Sequence, residues 1–502
     1  MCGIAGEWGR ADEAGVRAMM DTLAHRGPDD DGTFAPAGDA GMLGHRRLSI
    51  MDPSCGHQPI LDAARSRAIV ANGEIYNFPQ LRPELAKSRD FKTRSDTEAI
   101  LHLYDKRGPA TVKDLDGMYA FAILDDEALF LARDPIGIKP LYYGEGAGGA
   151  MLFASELKAL SGRCADVREF PPGTFFHSDT GFETFYEVPD RFPLSDSVEA
   201  WSRKIADTMD ACVVKRLMSD VPVGAFLSGG LDSSIIAALA RRHIDDLHTF
   251  SVGIEGSPDL AAARLVSRHL DTIHHEYVLS AGEIEAMLPE IVWHLESFDQ
   301  DLVRSAIPTF FTARMAKEHV EVILTGEGAD ELFAGYAYHK QIDGDERLHH
   351  ELHRTVGALH NLNLQRVDRM TMAHAVEGRV PFLDREMIEL AQLIPADMKL
   401  RGDPPEEKWI LRKAFEDLLP EEVVWRKKEQ FDEGTGTVDV MGEIASRAIG
   451  HEEADAHRRR HPDAALRSVE ECHYHRLLLD AFEHPDPVLA NVARWSHRQV
   501  GV

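Results

Sequence analysis

Short apolar runs alternate with stretches of helical period along the second half of the chain. Each run ends in glycine and polar residues. Val221-Pro222-Val223-Gly224-Ala225-Phe226-Leu227 reads as a strand, Ser228-Gly229-Gly230-Leu231-Asp232-Ser233-Ser234 as a loop, and Ile235 to Ala240 as a helix. Leu247 to Gly253 predicts a second buried strand, His274 to Val278 a further run, and Ile284 to Trp293 a helix. Val320-Glu321-Val322-Ile323-Leu324 predicts another buried strand. Such alternation predicts a doubly wound, mostly parallel sheet with ligands at the carboxyl ends of its strands. The first half differs, with strand-like runs each followed by a polar cluster. Between the halves lie two proline-punctuated stretches, Phe170-Pro171-Pro172-Gly173 and Val188 to Ser195. Asp196 with Glu199 reads as a capping box, and Val198, Trp201, Ile205, Met209, Cys212 and Val213 recur at helical spacing. The boundary is placed near Pro193, giving units 1–193 and 194–502.

The loop after the first strand has the parts of a pyrophosphate cradle. Glycines let backbone N–H groups approach an anion, and the following helix N-terminus adds positive potential. Ser228, Ser233 and Ser234 add hydroxyl donors. Asp232 is a like charge there unless a divalent cation bridges it to the phosphates. No Lys-Ser or Lys-Thr closes the loop, so it is not a Walker A motif. Thr325-Gly326-Glu327-Gly328-Ala329-Asp330-Glu331, at the end of the last strand, sets glycines among carboxylates and reads as a second part of the site.

In the first half, removal of Met1 leaves Cys2 with a thiol and a free α-amine on one residue. The amine titrates near neutrality and can serve as the thiol's base. Arg47-Leu48-Ser49-Ile50-Met51, Asn72-Gly73-Glu74 and Ser95-Asp96 follow. Asn72 and Gly73 offer a side-chain amide and a backbone N–H at one turn, the equipment of an oxyanion hole. An Asn-Gly pair is also an ordinary hairpin turn. Arg47 can grip an α-carboxylate and Asp96 an α-ammonium.

Composition narrows the class. The 502 residues suffice for two cores, and 44% are apolar. A net charge of −29 disfavours nucleic acid and anionic membranes as partners. No apolar run is long enough to cross a bilayer, and no apolar segment opens the chain, so a cytoplasmic location is expected. Five scattered cysteines without paired spacing agree with a reducing compartment. His349 with His353, and Cys472-His473-Tyr474-His475, are read as solvated helix faces. Oligomeric state stays open, with a homodimer as the assembly to test.

The string Ser228 to Ser234 resembles the loop of ATP pyrophosphatases, and the first half is similar to class II glutamine amidotransferase domains. Cys2, the loop, Gly326 to Glu331, Val376-Glu377-Gly378-Arg379 and Arg426-Lys427-Lys428-Glu429-Gln430-Phe431 fall in the order of the glutamine-dependent asparagine synthetase family. That resemblance implies an αββα N-terminal-nucleophile sandwich followed by a pyrophosphatase-type sheet. It implies glutamine hydrolysis at Cys2, with Asn72 and Gly73 in the oxyanion hole. It implies glutamine binding by Arg47, Leu48, Ser49, Ile50, Met51, Asn72, Gly73, Glu74 and Asp96. It implies ATP binding by Leu227, Ser228, Gly229, Gly230, Asp232, Ser233, Ser234, Val252, Thr325 and Gly326. Mg²⁺ falls to Asp232 and Asp330, and the acid substrate to Arg304, Glu327 and Asp330. It implies Glu327 and Lys428 as catalytic residues for amidation of L-aspartate through β-aspartyl-AMP. Asp301-Leu302, where the family carries two threonines, leaves a different small carboxylic acid as the alternative acceptor.

Overall fold

The structure, a computed structural model, describes residues 1–164, 166–427 and 434–495. Twelve strands build two antiparallel sheets in the first half. They are β1 (Gly3–Trp8), β2 (Asp30–Phe34), β3 (Gly41–Arg47), β4 (Ile60–Leu61), β5 (Arg67–Ile75) and β6 (Gly117–Asp125), then β7 (Ala128–Arg133), β8 (Tyr142–Glu145), β9 (Met151–Ala154), β10 (Val167–Glu169), β11 (Thr174–His177) and β12 (Gly181–Thr184). One sheet runs β10-β8-β9-β1-β3-β2 and the other β12-β11-β7-β6-β5-β4.

The alternation of side chains explains the layers. Along β6, Tyr119, Phe121 and Ile123 turn to the helix Asp96–Arg107, while Ala120, Ala122 and Leu124 turn to Ile4, Leu43 and Phe153 of the facing sheet. Both faces of the strand are buried, so the run is apolar throughout. The helix Glu13–Thr22 covers the far face of the first sheet through Val16, Met19 and Met20. The result is the expected αββα sandwich.

The second half forms one five-stranded sheet from β13 (Val223–Phe226), β14 (His248–Ile254), β15 (Ile273–Leu279), β16 (Val322–Leu324) and β17 (Glu377–Arg379). Its order is β15-β14-β13-β16-β17, and every pairing is parallel. The order reverses between β13 and β16, so a crevice opens past their carboxyl ends.

No regular element occupies 185–197, and the helix Val198–Lys215 follows. Its cap lies one residue beyond the expected one: Ser197 accepts from the Ala200 N–H at 3.1 Å, whereas Asp196 pairs with Lys204 at 2.8 Å. Trp201, Ile205, Met209, Cys212 and Val213 form the buried stripe that the spacing predicts. His349 and His353 do not face solvent. They bond Asp190 at 3.3 Å and the Val188 carbonyl at 2.9 Å, and so dock the connecting segment. Cys472, Tyr474 and His475 are likewise buried.

Buried charges join the halves. Arg26 meets Glu156 at 2.6 Å and Asp368 at 2.7 Å. Lys158 meets Glu296 at 3.1 Å, and Arg369 meets Glu296 at 2.9 Å. Leaving one member of such a network unpaired costs about 3–5 kcal/mol. Among the described residues no helix is long and apolar enough to cross a membrane.

Candidate active sites

Cys2 immediately precedes β1 and is buried. Its backbone N–H donates to Asn72 Oδ1 at 3.0 Å, and its thiol points to the Leu48 carbonyl at 3.9 Å. Arg26 Nε donates to the Cys2 carbonyl at 3.0 Å. Burial pushes the Cys2 thiol up, against the pull of the chain's amine and of Arg47. Such a thiol needs a base close by.

Asn72 and Gly73 do not form a turn. Both lie within β5, opposite Ala120 and Tyr119 of β6. Glycine is required because a Cβ there would stand 2.0 Å from the Met118 carbonyl oxygen, at a φ of +146°. Asn72 Nδ2 is buried and has no hydrogen-bond partner among the described residues. A donor is thus left unused on the residue that already holds Cys2.

Carboxylates gather next to it. Burial pushes Glu74 well up, with Asp96 and Glu377 adding to the effect. Asp96 opens the helix Asp96–Arg107 and accepts from the N–H groups of Ile75 at 2.6 Å and Thr97 at 2.9 Å. Burial outweighs those bonds and carries Asp96 to about 6. The Met1 ammonium pairs with Glu377 at 3.0 Å, both fully buried. A primary ammonium therefore already sits among these acids. Glu377 comes from the second half, and its nearness to Cys2 has no signature in the sequence.

Arg47 is spent on backbone. It donates to the carbonyls of Met51 at 3.2 Å, Asp52 at 2.8 Å and Pro53 at 3.3 Å. It shapes the loop that carries Leu48, Ser49, Ile50 and Met51. The Ser49 N–H donates to Asp29 at 2.8 Å.

The second site fills the crevice past β13 and β16, with a cavity of about 210 Å³. Ser228, Gly230, Asp232, Ser233, Thr325, Gly326, Glu327 and Asp330 line it. Leu227, Gly229, Ser234, Val252 and Arg304 are not among its lining residues. Gly229 serves the loop's backbone instead, since at its φ of +74° a Cβ would stand 2.4 Å from the Ala263 backbone nitrogen. Ser228 Oγ and Ser233 Oγ, 3.0 Å apart, tie the loop together. The helix Leu231–Arg241 begins at Gly230 without a side-chain cap, and its first residues line the cavity, where the helix N-terminus favours an anion.

Lys408 was not legible in the sequence. Its Nζ lies 2.6 Å from both Asp232 and Asp330. An ammonium stands where those two carboxylates converge, the place expected for a divalent cation. Arg366 pairs with Glu327 and lines the cavity. Glu331, next to Asp330, is raised to about 7 by burial and by its acidic neighbours. Lys428 lies outside the described residues, while its neighbours Arg426 and Lys427 line the cavity.

The C-terminal segment packs at the Asp301 end of the cavity. Arg304 holds Glu470 through two bonds, 2.8 and 2.7 Å. Arg467 reaches Asp301 at 3.4 Å and Asp299 at 3.1 Å. Trp495 lines the cavity and donates its backbone N–H to Asp299 at 3.1 Å.

Known proteins match the chain along most of its length. A glutamine amidotransferase domain model matches residues 1–181, and an asparagine synthase model matches 204–346 and 340–481. The chain is 40% identical over 461 residues to asparagine synthetase (glutamine-hydrolyzing) 3 of Arabidopsis thaliana, covering 87% of this chain and 79% of that protein. It is 38% identical over 485 residues to asparagine synthetase B (glutamine-hydrolyzing) of Escherichia coli strain K12, covering 92% and 87%. A solved glutamine phosphoribosylpyrophosphate amidotransferase from B. subtilis aligns with 51% of this chain and 67% of its own, at TM-score 0.33 and 22% identity. The chain belongs to the glutamine-hydrolysing asparagine synthetase family.

Proposed function

We propose that this chain makes asparagine from L-aspartate, ATP and glutamine, with residues 1–193 as the glutaminase and 194–502 as the synthetase. The observation that carries this reading is Asn72, whose Oδ1 holds Cys2 while its Nδ2 is buried and has no partner among the described residues. Once Met1 is removed, the Cys2 amine takes the thiol proton. The thiolate attacks the glutamine amide carbon, and Asn72 Nδ2 with the Gly73 N–H receives the oxyanion. The C–N bond breaks, ammonia leaves with the proton, and water hydrolyses the thioester to glutamate. Asp96 and Glu74 hold the α-ammonium, in the region where the Met1 ammonium now sits. Arg47 shapes the 48–51 loop and supplies positive potential to the α-carboxylate.

In the second site a β-carboxylate oxygen of aspartate attacks the α-phosphorus of ATP, and pyrophosphate leaves. Ammonia then displaces AMP from β-aspartyl-AMP. Leu227 and Val252 support the ATP site from the core, and Gly229, Gly230, Ser228 and Ser233 shape the phosphate loop. Asp232 and Asp330 suit Mg²⁺, since both already converge on one cation. Bound there, Mg²⁺ would offset pyrophosphate charge. Glu327, held by Arg366, positions the incoming ammonia, and Lys428 neutralises charge at the α-phosphate. Arg304 stays an acid-site residue through its grip on Glu470. The free thiols support a reducing cytoplasm. A homodimer is the assembly we carry forward, with Phe192, 92% exposed, as an apolar contact. Sedimentation velocity reads it.

The reading is tested by pyrophosphate release and asparagine formation, with aspartate set against other acids. Two further results are expected. Glutaminase kcat/KM rises as pH increases through about 6, because only ionised Asp96 holds an ammonium. Asp96→Asn removes that rise and increases KM for glutamine. On the other side, the Asp301 carboxylate is offset by Arg467. Arg467→Ala raises KM for aspartate about two- to fivefold, since the Arg467–Asp301 pair is partly exposed and such pairs are worth roughly 0.2–1 kcal/mol. It leaves glutamine hydrolysis unchanged.

A further inference from the structure

The outer edge of the second-half sheet carries imidazoles that neither active site uses. His248 opens β14 and His275 lies in β15. The parallel register sets Phe250 opposite His275, so His248 and His275 stand on the same sheet face. His319 follows the helix Gln300–Ala316, which packs on that face through Ala316 against Phe250. His248 Nδ1 and His275 Nε2 are 2.9 Å apart and share a proton. The His319 ring stacks on His275, with 3.9 Å between centroids. One ring nitrogen from each of the three lies within 4.8 Å of the other two, the one such histidine, cysteine or carboxylate trio among the described residues.

We propose that His248, His275 and His319 bind one transition-metal ion of the zinc class. On binding, the proton between His248 and His275 moves through solvent to the donor ring's other nitrogen, so both imidazoles stay neutral and each gives a nitrogen lone pair to the ion. Zn–N bonds of roughly 2.0–2.1 Å in a tetrahedron put the nitrogens about 3.3 Å apart. The His248–His275 pair needs to open by less than about half an ångström to reach that spacing. His319, at the free end of a helix and exposed, supplies the third nitrogen by a side-chain swing. Water completes the set. Three imidazoles suit Zn²⁺, Ni²⁺ or Cu²⁺, whereas Mg²⁺ takes oxygen donors. The site is therefore chemically separate from the cation expected on pyrophosphate.

Position gives it a purpose. The helix Gln300–Ala316 has 17 residues, about 25 Å of axis. Its first turns carry Leu302, Ser305 and Thr309 into the synthetase cavity. A metal at His319 clips the other end of that helix to the two outer strands. It stabilises the fold and takes no part in the reaction.

The test uses the full-length, tag-free chain, stripped with a chelator and titrated with Zn²⁺ by calorimetry. Bound metal is counted by elemental analysis, and Co²⁺ serves as a visible probe of tetrahedral geometry. One Zn²⁺ per chain and a raised Tm are expected. His319→Ala and His275→Ala each lose the site or weaken it at least tenfold. Cys2→Ala and His457→Ala keep it, which excludes the terminal thiol and the His457–His475 pair as the ligand set. With Mg²⁺-ATP present, His319→Ala makes asparagine at the wild-type rate. Should His275→Ala fail to fold, His319→Gln on the exposed position decides alone. Absence of Zn²⁺ binding by the wild type, or unchanged binding in His319→Ala, overturns the proposal. Loss of the site in Cys2→Ala does so as well.

Discussion

A Cys2→Ala chain makes asparagine from ammonium but none from glutamine. Glutaminase activity falls by at least ~10⁴-fold, the scale on which losing a covalent nucleophile registers. Ammonia-dependent synthesis stays within about threefold of wild type. The two outcomes separate because the ATP site proposed above lies at a different sheet, past β13 and β16, and uses no atom of Cys2. Glutamate release and pyrophosphate release, assayed on one preparation, read both. Asn72→Ala repeats the pattern more mildly, with a loss of about 10²–10³-fold for one oxyanion donor. N-terminal sequencing belongs with this experiment. Retained Met1 would keep its ammonium on Glu377 and its amide bond on the base that Cys2 needs.

Lys408→Ala produces the reverse defect. Pyrophosphate release falls at least a hundredfold with either nitrogen source, while glutamine hydrolysis continues. Lys408 is nearly buried between Asp232 and Asp330, with Glu327 and Glu331 close behind. Removing it takes a buried positive charge from between two carboxylates and costs about 3 kcal/mol of stability. Lys408→Arg does not restore activity. Two carboxylates converge on one compact ammonium there, and a planar guanidinium fork does not reproduce that geometry. Thermal unfolding and pyrophosphate assays across a Mg²⁺ series report the two effects apart.

These two residues also mark what the sequence could disclose. The strand before Ser228 was legible because a strand buried on both faces in a parallel sheet is one apolar run, ended here by Gly229-Gly230. Cys2, Asp96, Asp232, Glu327 and Asp330 were legible because each sits at a chain end, strand end or helix start. Lys408 was not, because its partner Asp232 is 176 positions away and no local pattern brings them together. Arg366 and Trp495 were missed for the same reason. Asn72-Gly73 shows the opposite limit. A dipeptide that reads as a turn is held inside β5 by a backbone approach that only the sheet reveals. His349 and His353 had the right helical spacing, but the face they share packs on the connecting segment instead of water.

One helix links the two reactions. Asn363–Met372 carries Asp368, which grips Arg26 and through it the Cys2 carbonyl. Two residues earlier it carries Arg366, which holds Glu327 in the synthetase cavity. Nitrogen released at Cys2 is therefore expected to reach the acyl-adenylate within one chain.

The most direct test supplies glutamine labelled with ¹⁵N at the amide, unlabelled ammonium in excess, ATP, Mg²⁺ and L-aspartate, and reads the product by mass spectrometry. Label in the asparagine side-chain amide above the level set by mixing with bulk ammonium, with one pyrophosphate per asparagine, is the expected result. Label diluted to the bulk value, or pyrophosphate release only with an acid other than aspartate, would contradict the account.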